Sequence, residues 1–141
     1  MVFDTGSDSD VHALHRLENE KMAWLTTVTS DGQPQTFPVW FLWERGEVLI
    51  FSDHRAKRNA NIAANPRVVL HLNDDGAGRD IVVVEGLARV DDGAPDLESH
   101  AAYLAKYGEW ITRDLGSVER MAAVYNVPIR IAPTRGRATG A

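Results

Sequence analysis

The sequence predicts a small, mainly β fold, a six-stranded antiparallel barrel decorated by short helices, and three observations carry that prediction. Six runs rich in β-branched and aromatic residues are spaced along the chain at 23–30, 34–43, 47–52, 67–72, 81–90 and 127–133. The first three are separated only by tight-turn signals, Asp31-Gly32 and Glu44-Arg45-Gly46, so they should pair as an antiparallel meander. The helical stretches are short and lie before, inside and near the end of the β run rather than alternating with it. Closing such a sheet removes the exposed edges that a chain of 141 residues must otherwise protect.

Each element has its own justification. Residues 11–20 read as a helix, with Asp8, Ser9 or Asp10 as cap and Leu14 and Leu17 as an apolar stripe. The middle run, PQTFPVWFLW, holds Pro34 and Pro38, each of which removes a ladder donor, so an edge, a bulge or a break is expected there. Residues 55–65 turn helical, and Asn65-Pro66 stops the helix because the residue before proline avoids helical dihedrals. The uninterrupted apolar start of IVVVEGLARV implies a strand buried on both faces. Residues 95–106 and 117–125 read as helices ahead of the closing strand. The polar, aperiodic ends place a disordered tail at 1–10, a single folded domain at 11–133 and a second tail at 134–141.

Composition narrows the function. The chain has no cysteine, which removes disulfides, thiolate metal sites and cysteine nucleophiles and suits a reducing cytoplasm. A net charge of −5 argues against nucleic acid or an anionic membrane as partner, and no apolar run is long enough to span a bilayer. No nucleophile elbow, paired carboxylates or phosphate loop ahead of a helix is present. His12, His15 and Glu18 share a helix face, but a solvated amphipathic helix explains them better than a metal. His71, between leucines, reads as a hydrogen-bonded structural histidine, and His54 as a turn residue or an aid to anion binding. With no protein nucleophile or acid–base pair, no catalytic side chain is assigned, and any redox or transfer chemistry would come from a cofactor.

One anomaly points to a ligand. Acids outnumber bases overall, yet residues 54–73 contain no Asp or Glu and hold Arg55, Lys57, Arg58 and Arg67. Three of these cations crowd the start of a helix, where the macrodipole disfavours them, which is the arrangement expected around a bound anion. Ser52 and Asn61 are placed to add neutral hydrogen bonds. A solvated basic helix face is the competing reading of the same residues. The neighbouring aromatic run, with Phe37, Trp40, Phe41 and Trp43, carries rings on both strand faces, and the face away from the core needs a cover, either a subunit or a planar ligand.

The segment IFSDHRAKRNANIAANPRVVLHL, followed by IVVVEGLARV, resembles the pyridoxamine 5′-phosphate oxidase-like, FMN-binding split-barrel superfamily, and within it the actinobacterial branch of deazaflavin (coenzyme F420)-dependent oxidoreductases. The resemblance spans residues 24–90 and rests on the aromatic-Ser ending the third strand, the cations after it and the Asn-Pro-Arg-Val opening the fourth. It implies a homodimer with the cofactor in the groove between subunits. Lys57 and Arg58 match the pair that holds the cofactor phosphate, Ser52 after Phe51 matches its hydroxyl partner, and Asn61 a polar helix residue facing the cofactor. Pro38, Val39 and Trp40 match the segment beneath the ring system. Arg55 is an extra cation suited to a more anionic cofactor. The stretch TFPVWF lacks the basic residues of the oxidase proper, and VPIRIAPTRGRA lacks its substrate segment. The resemblance therefore implies hydride transfer with F420, alternatively FMN, to a small unsaturated or conjugated molecule rather than pyridoxamine-phosphate oxidation.

Overall fold

The computed structural model describes residues 2–140. One antiparallel sheet runs through the whole molecule. Its strands are β1 (Ala23–Val28), β2 (Pro34–Val39), β3 (Leu42–Glu44), β4 (Glu47–Ser52), β5 (Arg67–His71), β6 (Ile81–Val90) and β7 (Val127–Thr139), in the order β2-β1-β5-β6-β7-β4-β3. The helices are α1 (Asp8–Asn19), α2 (Lys57–Ala64), α3 (Ala101–Trp110) and α4 (Val118–Val124), with a 3-10 turn at Leu97–Ser99 and a π-helical turn at Ile111–Leu115. The sheet curls into a split barrel of seven strands rather than six. No helix among the described residues is long and apolar enough to cross a membrane.

The extra strand comes from the prolines. The predicted middle strand breaks after Val39. Its first half, with Pro34 and Pro38, pairs only with β1 at one edge of the sheet, and its second half pairs with β4 at the opposite edge. The predicted three-stranded meander is therefore two hairpins at opposite ends of the sheet. An edge position lets both prolines turn their donor-free side away from a ladder. The link, Trp40-Phe41, must bury its backbone, and α3 satisfies it. The Phe41 amide donates to Tyr107 Oη at 2.8 Å, Tyr107 Oη lies 2.8 Å from both the Phe41 and Lys21 carbonyls, and Lys106 Nζ donates to the Phe41 carbonyl at 2.7 Å. Tyr107→Phe leaves the buried Phe41 amide without its acceptor, so unfolding experiments are expected to show a loss of about 1–3 kcal/mol.

Two apolar masses flank the sheet. Phe3, Leu17, Leu25, Phe41, Ile50, Leu70, Val84 and Ile131 fill the barrel interior under α1, while Leu49, Phe51, Tyr103, Tyr107, Ile111 and Met121 pack between β4 and the α3–α4 layer. The strand buried on both faces is thus β4, where Val48 through Ser52 are all buried. β6, expected to be that strand, alternates buried and half-buried residues, because nothing in the chain packs on its second face.

The ends also differ from expectation. Beyond Pro133, where a tail was expected, β7 continues to Thr139 and pairs with β6 from Ile81 onward. The N-terminal segment contributes Phe3, only 2% exposed, to the core, where its ring fills the space beside Gly136 that a Cβ would occupy. Helix α1 is capped by Ser7, upstream of the expected caps, its hydroxyl accepting from the Asp10 amide.

Candidate functional site

The site is built where β4 hands over to α2. Leaving the sheet at Ser52, the chain passes through Asp53-His54-Arg55-Ala56 before the helix starts at Lys57. The cap residue Ala56 has no side-chain oxygen, and the first helical turn contains no acid, so positive charge accumulates there from both the side chains and the helix end. His54 Nδ1 lies 3.0 Å from the Val124 carbonyl, which ties this corner to α4 and makes the residue a turn anchor rather than a ligand.

The three cations have different fates. Arg55 is neutralised by Asp53, whose carboxylate oxygens accept from Arg55 Nε at 3.1 Å and from its terminal nitrogen at 2.9 Å. The Arg55 contact holds the Asp53 carboxyl near pH 2, far below the ordinary range. Lys57 is exposed at the rim. Arg58 is half-buried with no carboxylate within 4 Å among the described residues, and burial lowers its proton affinity, although the guanidinium stays charged. Its orientation is fixed on two sides. Nε donates to Ser52 Oγ at 2.9 Å, and the guanidinium lies 5.4 Å from the centre of the Phe37 ring.

Ser52 itself is fully buried. Its hydroxyl accepts from Arg58 and donates to Asn59 Oδ1 at 2.8 Å, while Asn59 Nδ2 donates to the Asp53 carbonyl. Both hydrogen-bonding directions of the hydroxyl are thus spent on positioning Arg58. Asn61, also buried, donates to Thr27 Oγ1 and Gln35 Oε1, each at 3.0 Å, and clamps α2 onto β1 and β2. Of the nine site residues expected from sequence, Arg55, Lys57, Arg58 and Asn61 line a groove of about 490 Å³ between α2 and β2. Pro38, Val39, Trp40, Phe51 and again Arg58 line an adjoining slot of about 180 Å³ between the sheet and the α3–α4 layer. Ser52 lines neither and supports both through Arg58.

Sequence reasoning missed the far wall. Tyr103, Leu115, Met121 and Tyr125 close the slot, and Phe37 and Tyr125 border both spaces. Tyr103, Tyr107 and Trp110 recur at i, i+4 and i+7 on α3, a spacing that marks one aromatic face laid on the sheet. Asp53, two residues before Arg55, was the visible sign that one cation would be consumed locally. His12, placed by sequence on a face with His15, is turned to Asp80 instead, with Nε2 and Oδ1 3.0 Å apart.

With the groove, slot and desolvated cation in place, similarity to known proteins becomes informative. The pyridoxamine 5′-phosphate oxidase profile matches residues 11–140. The chain belongs to the pyridoxamine 5′-phosphate oxidase family. Among solved structures, an F420 reductase is 28% identical over 87% of this chain and 94% of its own, with a TM-score of 0.69. An FAD-binding protein from Mesorhizobium loti is 25% identical over 89% of this chain and 90% of its own, with a TM-score of 0.62. The haem storage protein HutZ from Vibrio cholerae shares the fold at 13% identity, covering 95% of this chain and 96% of its own, with a TM-score of 0.66. No curated protein sequence matches the chain. Membership of the oxidase family fixes the split-barrel frame. The contents of the groove decide what a member does with it.

Proposed function

We propose that this family member is a homodimeric oxidoreductase that binds coenzyme F420 in preference to FMN and passes hydride to a small unsaturated or conjugated substrate. The observation that carries the reading is Arg58, a guanidinium half-withdrawn from water, aimed by Ser52 and Phe37 and paired with no carboxylate. A charge held this way is costly unless an anion completes it, and a phosphate at the start of α2 does so. The residues present therefore fit a phosphate-bearing flavin-like group. Arg58 and Lys57 would hold the phosphate, and the β2 segment through Pro38, Val39 and Trp40 would lie along the ring.

Such a group supplies hydride transfer when bound, and the chain's share is binding, orientation and exclusion of water. Phe37, 59% exposed beside the groove, is the surface a second subunit would cover. Two observations support F420 over FMN. The F420 reductase is similar over nearly its whole length, and β2 from Pro34 to Val39 contains no basic side chain to hold additional polar contacts of an oxidised flavin ring. Arg55, neutralised by Asp53, adds nothing to that case.

Titration of the purified protein with each cofactor tests the reading. Quenching of deazaflavin fluorescence is expected at a dissociation constant below that for FMN, and equal or reversed affinities would overturn the assignment.

A further inference from the structure

The slot beside the groove contains one polar group that the fold leaves unused. Tyr103 is 0% exposed, and its hydroxyl has no hydrogen-bond partner, the only such buried side-chain atom among the described residues. Its ring is fixed by edge contact with Phe51, centroids 4.9 Å apart at 90°, and by Tyr107 at 4.8 Å, so the phenol cannot swing to solvent without breaking that packing. Leaving a buried hydroxyl unpaired costs roughly 1–3 kcal/mol, and such groups are rare in native folds. The remaining lining is Pro38, Val39, Trp40, Ile50, Leu115 and Met121, with Arg58 and Asp114 as its charged members. The last wall comes from the π-helical turn Ile111–Leu115, a geometry that recurs at binding sites.

We infer that this slot binds a single-ring aromatic or conjugated compound bearing a carbonyl oxygen, and that the Tyr103 hydroxyl donates to that oxygen. Size sets the ring count. About 180 Å³ is close to the roughly 150 Å³ apolar cavity that accepts benzene, and far below what a tetrapyrrole requires. The unpaired donor sets the functional group. Burial pushes the Tyr103 phenol upward, so it stays protonated and needs an acceptor. A carbonyl oxygen meets that need without bringing a further proton to place, whereas a carboxylate would be stripped of water against one neutral donor. Met121, flexible and unbranched, lets the apolar wall follow different ring substituents.

This assignment deepens the proposed function, since it names the substrate class for the same site, and it rests on that reading only for the occupant's fate. Its test therefore uses cofactor-free protein. Acetophenone and its oxygen-free isostere cumene are titrated by calorimetry into wild type, Tyr103→Phe and Leu115→Trp, with thermal melting of each. Tyr103→Phe should weaken acetophenone about five- to tenfold, leave cumene unchanged, and melt at or above the wild-type temperature because an unpaired hydroxyl has been removed. Leu115→Trp, filling the slot from its rim, should abolish binding of both while the protein still melts cooperatively. Equal losses for both probes in Tyr103→Phe, an unchanged acetophenone affinity, no binding to wild type, or a lowered melting temperature in Tyr103→Phe would each overturn it. Bound F420 displacing acetophenone competitively would also overturn it, by giving the slot to the cofactor ring. Failure of F420 to bind, with acetophenone still discriminated from cumene, would remove the cofactor reading alone.

Discussion

Arg58→Ala is expected to weaken cofactor binding about ten- to a hundredfold, the largest functional effect of any single cation in the groove. Removing it deletes a charge-assisted contact, which is worth roughly 1.5–3 kcal/mol. The size follows from where the guanidinium sits. It is half-buried, borders both groove and slot, and has no carboxylate to fall back on. Arg55→Ala should cost less than about threefold, because the Asp53 carboxylate already neutralises that charge. Lys57→Ala should lie between them and fade with added salt, as expected for a cation exposed to screening at the rim. Ser52→Ala should lose several-fold although its hydroxyl lies below the groove surface, since Arg58 then loses its 2.9 Å tether. Fluorescence titration of the four variants gives the order directly. If Arg55→Ala cost as much as Arg58→Ala, the anion would have to lie on the outer side of the β4–α2 corner, and the site would need to be redrawn.

Arg130→Met is expected to have the largest effect on stability, a loss of about 3 kcal/mol in denaturant unfolding. Arg130 side-chain atoms are 5% exposed on β7, beneath the Leu97–Ser99 turn and α3, and the guanidinium bridges two acids. It donates to Glu44 Oε1 at 2.7 Å and to Asp91 Oδ2 at 3.0 Å, and Glu44 Oε1 also lies 3.2 Å from His100 Nε2. Deleting the cation strands Glu44 in a site it shares with Leu97 and Tyr103, whereas deleting the whole network together would cost less. Burial alone would raise the Glu44 carboxyl, but the hydrogen bonds from Arg130 and His100 outweigh it and hold the group below its ordinary 4.5. Asp91 is likewise held below 3.8, chiefly by the Arg130 hydrogen bond.

The sign of the pH effect follows from those directions. A carboxyl whose folded value is depressed contributes stability that is complete above its unfolded value and is lost as pH falls through the folded one. Wild type should therefore lose this contribution progressively below about pH 4.5, and the Arg130→Met curve should be flatter on that acid limb. Parallel curves would show that the network does not couple to Arg130 as the distances imply.

Much of the fold was legible because its signals are local. Asp31-Gly32 marks one hairpin, Asn65-Pro66 ends α2 at the expected residue, and the proline pair foretold an edge or a break and produced both. What was not legible depends on contacts distant in sequence. No local rule says that PQTFPVWFLW will divide between opposite sheet edges, because the groups that satisfy the dividing point, Tyr107 and Lys106, lie more than 60 residues away. Nor could alternation identify the strand covered twice. IVVV and VLIF are equally apolar, and only the placement of α3 and α4 over the latter decides the matter. The site divides the same way. The cationic cluster stands out in the sequence, but the separation into one aimed cation, one neutralised cation and one rim cation needs side-chain geometry.

The double covering of β4 bears on how the protein survives in a crowded cell. VLIFS is a short, uncharged, β-prone stretch free of proline and glycine, the composition that nucleates amyloid-like stacking when it meets copies of itself. Inside the folded chain, β3 and β7 occupy its two hydrogen-bonding edges and the C-terminal helices roof it over. The α3–α4 layer is therefore a gatekeeper against self-association as well as a wall for ligands. A change that loosens it endangers solubility before it endangers chemistry.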